Sequence, residues 1–163
     1  MDSSSTTISQ AQAAMVTLVQ GGYSTFCPCC KQVVSVQERD ISPMMAKVLI
    51  VLYRKSKVNS DWLQVSSIIE EENRASAEIR GSEWTKLTHW GLLEEKPKAK
   101  GLYKVTEKGT QFAKGESKAP KAIRMYNGKF LGFEEGQVTI QECLGDTYDY
   151  DKLMAGDYLD FNV

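Results

Sequence analysis

The chain has 163 residues, 42% of them apolar and 25% charged, with a net charge of −1. That is enough length and apolar content for one ordinary domain with additions, and it excludes disordered, fibrous and membrane-embedded classes. The apolar stretch at 13–19 is short, interrupted by Thr17 and not preceded by basic residues. It predicts neither a signal peptide nor a spanning helix, so the expected location is the cytoplasm, without membrane contact.

The small net charge conceals a division along the chain. Lys and Arg number two against three Asp and Glu over 1–42, sixteen against ten over 43–124, and two against eight over 125–163, giving −1, +6 and −6. A basic middle is what phosphate attraction requires, because each neutralised phosphate releases counterions. The acidic end is a solvated face, a cover for the basic surface or a contact for a basic protein partner.

In chain order, Asp2 to Thr7 form a polar run expected to fray. Residues 8–20 predict a helix with Ala11, Met15, Leu18 and Val19 on one face, stopped by Gly21-Gly22. It serves either as a dimer arm, implying a homodimer, or as a helix packed on its own domain. Next comes Cys27-Pro28-Cys29-Cys30. Three thiols so close together are wrong for a spaced disulfide framework and better suited to metal ligation or a reducing compartment.

Ser42-Pro43 reads as an N-cap followed by proline at the first helical position. Met45, Val48, Leu49, Leu52 and Tyr53 then make a core-facing helical stripe. Arg54, Lys55 and Lys57 fall at the negative end of that helix. Residues 59–63 predict a short strand, and Val65, Ile68 and Ile69 the buried side of a second helix ending in Glu70-Glu71-Glu72. That triplet would repel phosphate if it faced a duplex.

A third helix is expected over 75–90. On a helical wheel Ala77, Trp84 and Leu87 share the core side, while Ile79, Ser82, Lys86 and His89 lie opposite. Arg74 and Arg80 near its start are placed to reach phosphate or base edges, with an internal ion pair the alternative for Arg80. The outward set is thin for reading a major groove, where Arg, Asn and Gln do most of the specifying. Gly81 marks a point where the helix bends or breaks. Two strands, 92–96 and 102–106, follow around Pro97-Lys98-Ala99-Lys100-Gly101, with Lys96, Lys98, Lys100 and Lys104 at or near the tip. Trp62, Trp84, Trp90, Tyr103 and Phe112 are expected to form the aromatic part of the core.

Taken together, a helix with Trp84 and Leu87, the phrase His89-Trp90-Gly91-Leu92-Leu93, the lysine hairpin, and Tyr103-Lys104-Val105-Thr106-Glu107-Lys108-Gly109-Thr110-Gln111-Phe112 follow the order of a recognition helix, a wing and a closing helix. Here the chain resembles the winged helix-turn-helix superfamily, especially its MarR-like and PadR-like regulators, over 43–115. The resemblance implies an α+β fold with a winged-helix core and binding to duplex DNA. Candidate contacts are Arg74, Arg80, Ser82 and Lys86 from the helix and Lys96, Lys98, Lys100 and Lys104 from the wing, whose tip in such proteins lies along the minor groove or backbone.

The segment around Cys27 and Cys30 resembles one knuckle of a zinc ribbon, implying zinc held by Cys27 and Cys30, with Cys29 the nearest third ligand. The second knuckle is missing, and His89 and Cys143 are the other soft ligands in the chain. A site shared across a dimer, a redox pair and an inert remnant stay open beside it.

After Gly115 a linker leads to strand patterns at 123–126, an Asn127-Gly128 turn, strands at 129–133 and 138–143, then a turn and short helix. This small antiparallel appendage resembles C-terminal segments of uncharacterised bacterial and phage proteins. The expected organisation is therefore 1–42 as N-terminal helix and cysteine knuckle, 43–115 as winged helix, and 122–163 as an acidic β-rich appendage.

No catalytic constellation emerges: the single histidine lacks a partner at telling spacing, and no phosphate-binding glycine loop is present. The reading is a nucleic-acid-binding protein, a transcriptional regulator or replication accessory factor, and not an enzyme. The alternative is a protein-interaction module, such as a phage-type inhibitor or adaptor, contacting its partner through the acidic segment.

Overall fold

In the computed structural model, residues 7–20, 25–27, 30–126 and 129–158 are described. Residues 2–6 of the expected frayed start, the Gly21-Gly22 stop, Pro28, Cys29, the Asn127-Gly128 turn and the last five residues lie outside them. The elements are α1 (Ile8–Gln20), β1 (Thr25–Phe26), β2 (Val33–Val34), β3 (Gln37–Asp40), α2 (Pro43–Val58), β4 (Leu63–Gln64) and α3 (Val65–Arg74). A 3-10 helix (Glu83–Trp90) follows, then β5 (Leu93–Glu95), β6 (Leu102–Val105), α4 (Glu107–Ala113), β7 (Ala119–Pro120), β8 (Ala122–Tyr126), β9 (Lys129–Phe133), β10 (Gln137–Val138), α5 (Ile140–Leu144) and α6 (Tyr150–Ala155). The fold is mixed α+β with small antiparallel sheets.

Two compact units divide the chain, each built from two stretches: 1–39 with 122–134, and 40–121 with 135–163. They cut across the three consecutive segments read from sequence. Residues 135–158 belong to the larger unit, and β8–β9 to the smaller.

The larger unit is organised around α2. Ser42 caps it as expected, accepting from the Met45 backbone N–H at 3.2 Å, with Pro43 at the first position. The expected stripe is buried, but so is every residue from Met45 to Tyr53. A helix apolar all round is surrounded. Here α4, α5, α6, the 3-10 helix and β6 all pack on α2.

Sheet β4-β6-β5 is antiparallel, with Leu63 opposite Tyr103 and Leu93 opposite Val105. Its inward residues Leu63, Leu93, Tyr103 and Val105 are buried. Alternation along the strands turns Gln64, Glu94 and Lys104 outward. Trp84, Trp90, Tyr103 and Phe112 join the core as expected, with Trp84 edge-on to Tyr103 at 4.8 Å. Trp62 does not; it is only half-buried. Ile68 and Ile69 are also half-buried rather than core.

Residues 75–82 do not extend the third helix. Ser76, Glu78 and Gly81 have φ of 72°, 54° and 74°, which no right-handed helix accommodates. Ala77 and Ile79 are both buried, a spacing of two. Ile79 was expected on the outer face; instead its backbone is clamped at both ends by the Asn73 side chain, which accepts from Ile79 N–H at 2.6 Å and donates to its carbonyl at 3.0 Å. Helical geometry resumes only at Glu83, beyond the break expected at Gly81, and Gly91 ends it at φ 73°.

The 138–143 region is a second correction. Only Gln137–Val138 is extended, pairing with β7; Thr139 then caps α5, accepting from Glu142 N–H at 3.1 Å. Ile140 and Leu144 are buried, four residues apart, so helical rather than strand periodicity decides the segment. Asp149 caps α6 in the same way.

In the smaller unit, α1 has the expected bounds. Ala11 is buried and Met15 half-buried, whereas Leu18 is exposed. β1 and β2 form a hairpin, and β8 pairs with β9 and with β3.

Candidate nucleic-acid interface

The lysine hairpin is a strand pair closed by residues 96–101. Lys96 N–H donates to the Leu102 carbonyl at 2.8 Å, and Lys98 and Gly101 adopt φ of 63° and 88°. The positive φ at Gly101 is the reason for a glycine there. The strand pair next to the turn is fixed by Tyr103, whose hydroxyl donates to Glu95 Oε2 at 2.5 Å. Burial, then the Glu95 hydrogen bond and charge, push the Tyr103 hydroxyl up to about 12.

Lys96, Lys98, Lys100 and Lys104 are all exposed. None forms an ion pair with a carboxylate among the described residues. The helical candidates differ. Arg74 pairs with Glu70 at 2.9 Å, and Lys86 with Glu83 at 2.6 Å. Arg80 and Ser82 are exposed within the irregular 75–82 stretch, so the internal ion pair considered for Arg80 is absent among the described residues. The eight candidates thus fall into two groups. The hairpin holds four exposed ammonium groups, while two of the other three cations already have a carboxylate.

His89 is half-buried; burial and then the Lys86 charge hold its pKa below the usual value. A neutral imidazole contributes no charge to a phosphate surface.

Of the acidic triplet in α3, Glu72 is used internally, while Glu70 and Glu71 are exposed. Glu72 is 5% exposed, lies 3.2 Å from Lys55 and 3.7 Å from Arg54, and accepts from the Tyr158 hydroxyl. Arg54 donates to that hydroxyl at 2.9 Å. Arg54 and Lys55, two of the three cations at the end of α2, therefore also neutralise a buried carboxylate. Lys47, 2% exposed, donates to the Ala77 carbonyl and lies 4.4 Å from the Tyr148 ring centroid, so it braces the 75–82 stretch against α2. Burial holds the Lys47 ammonium below its ordinary pKa, partly offset by Glu78. A lysine inside an apolar run was the sequence signal for this contact.

Cys27 and Cys30 sit in the turn of the β1–β2 hairpin, where Lys31 N–H donates to the Cys27 carbonyl and Cys27 N–H to the Gln32 carbonyl, each at 2.8 Å. Two thiolates on such a turn suit half of a tetrahedral zinc set. Among the described residues no group of three or more His, Cys, Asp and Glu is arranged to hold a metal ion, and Cys29 lies outside them. Nor is any helix among them long and apolar enough to cross a membrane.

Comparison with protein-family models, curated proteins and solved structures finds no match.

Proposed function

We propose that this chain binds nucleic acid through the β5–β6 hairpin, as a winged-helix regulator or replication accessory factor, acting by binding and not by catalysis. The observation that carries the reading is the set of four exposed lysines with no carboxylate partner among the described residues. An ammonium already paired must give up its carboxylate to meet a phosphate, whereas these release only counterions. The order of α2, β4, α3, the 3-10 helix and the hairpin supports a winged-helix arrangement. The irregular 75–82 stretch and the paired Arg74 and Lys86 favour backbone contact over base readout. The test is duplex binding by fluorescence anisotropy with Lys96, Lys98 and Lys100 changed to Glu. The reading requires the triple variant to lose binding while remaining folded.

A second reading, a protein-interaction module, draws support from the smaller unit. Phe26 and Val33 face each other across the β1–β2 hairpin, each 66% exposed. Phe130 and Phe133 are also exposed, 5.1 Å apart. Within the acidic segment, Asp149 has a local use as the cap of α6. Phe26→Ser with Val33→Ser would abolish protein contact and spare nucleic-acid binding; the lysine variant would do the reverse.

A further inference from the structure

Alternation along the β4-β6-β5 sheet sends Leu63, Leu93, Tyr103 and Val105 inward and places Trp62, Gln64, Leu102 and Lys104 on the other face. Trp62 is the one tryptophan that is not buried; Trp84 and Trp90 are 9% and 1% exposed. Extending the register by one residue sets Trp62 opposite Lys104, and the Lys104 ammonium lies 5.9 Å from the Trp62 ring centroid. On that side the ring meets a cation on a flexible stem. Lys96 enters the turn from the neighbouring strand, and Lys98 and Lys100 continue the charge around its tip. One carboxylate, Glu94, lies across from Lys104.

A half-buried indole beside Lys104, with the Asp61 carboxylate turned to the Trp62 backbone N–H at 2.8 Å, has the chemistry that recognises a strand with free base faces. Duplex bases are stacked on each other and offer only their edges in the grooves. A single strand offers both a π-face and a phosphate within one nucleotide, matching an aromatic platform beside a positive groove. The lysines fix the sign of the charge, and the ring selects an unpaired base over sugar-phosphate alone.

We propose that the outer face of the β4-β6-β5 sheet is a single-strand platform, on which Trp62 stacks one base while Lys104 turns from the ring to the adjoining phosphate. This rests on the nucleic-acid reading and deepens it by naming the form of the strand. The ligand is an unpaired nucleotide, in single-stranded nucleic acid or at a frayed duplex end.

The experiment uses the full chain with an end-labelled short oligothymidylate and an abasic strand of equal length and charge, reading affinity from the anisotropy of the strand and stacking from tryptophan fluorescence. Oligothymidylate should quench emission and bind more tightly than the abasic strand. Trp62→Ala should lose that advantage, by about fivefold to 150-fold, the range that one stacked base supplies. Trp62→Phe should keep part of it, and abasic binding should stay unchanged in both variants. An oligouridylate run alongside separates RNA from DNA as the source of the strand, and quenching by either supports the platform. Equal affinity for the two thymidylate-length strands, or no effect of Trp62→Ala, would overturn it. If duplex binding still depended on the lysines, the hairpin reading would survive that result. Absence of binding to any strand or duplex would overturn both.

Discussion

Gly109 lies where α4 passes closest to the strand that follows the 3-10 helix. A Cβ there would sit well inside van der Waals contact of the Leu92 carbonyl oxygen, and 3.0 Å from both the Leu92 carbonyl carbon and Val105 Cγ1. The first obstacle is backbone, which cannot rotate away. The same seam carries the Thr106 cap, whose hydroxyl accepts from Gly109 N–H at 2.9 Å and donates to the Gly91 carbonyl at 2.6 Å. Gly109→Ala must therefore separate α4 from Leu92, at an overpacking cost of about 1–3 kcal/mol. Because backbone must move, the upper end applies. Alanine's helix propensity returns about 1 kcal/mol. The net expectation is a loss of about 1–2 kcal/mol, or about 2–8 °C in Tm for a chain of this size. Urea and thermal unfolding read it, with Gln111→Ala as an exposed control on the same helix that should stay within about 0.5 kcal/mol of the parent. An unchanged or raised Tm for Gly109→Ala would refute the close approach.

Three further outcomes are expected. Glu72→Ala leaves Arg54 and Lys55 without their buried carboxylate; because both cations retain partial access to solvent, the loss in urea unfolding should be about 2–3 kcal/mol, below the range for a fully buried pair. Ser42→Ala should cost about 1 kcal/mol by the same assay through loss of the α2 cap. In alkali, Tyr103 and Tyr158 are both pushed up to about 12, chiefly by burial and then by their hydrogen bonds to Glu95 and Glu72. The native state thus holds these protons more tightly than the unfolded chain, whose tyrosines titrate near about pH 10. Their contribution is complete below about pH 10 and is lost as pH rises towards about 12. Tyr103→Phe or Tyr158→Phe should flatten part of that decline in unfolding curves taken across the window, and an unaltered slope in both would contradict the assignment.

Legibility in the sequence followed the range of the interactions. The cap at Ser42, the bounds of α1, the β5–β6 hairpin and the β8–β9 pair were readable because local chemistry decides them: a hydroxyl before a proline, apolar periodicity, a glycine turn. The helix expected over 75–90 failed in its first half because long-range contacts override propensity there. Asn73 clamps Ile79, and Lys47 holds the Ala77 carbonyl, neither of which helical spacing can anticipate. Residues 138–143 were misread because Val138-Thr139-Ile140 alternates like a strand, while the Thr139 cap and burial of Leu144 turn the chain into α5. At the candidate site the hairpin lysines were readable from composition and turn chemistry. Trp62 was misassigned to the core because aromatic content alone does not reveal the face of a sheet. Its alternation with the buried Leu63 was the signal available.

The most direct measurement is duplex binding across a salt series, parent beside the variant with Lys96, Lys98 and Lys100 changed to Gln. Four phosphate contacts correspond to a slope of log affinity against log salt of about −3.6, and a fall of about 150-fold between about 50 and 200 mM. With Lys104 alone remaining, the slope should drop to about −0.9 and the fall to about 3.5-fold. Parallel slopes for parent and variant would contradict a phosphate surface on the β5–β6 hairpin, and no binding by the parent at low salt would contradict duplex binding.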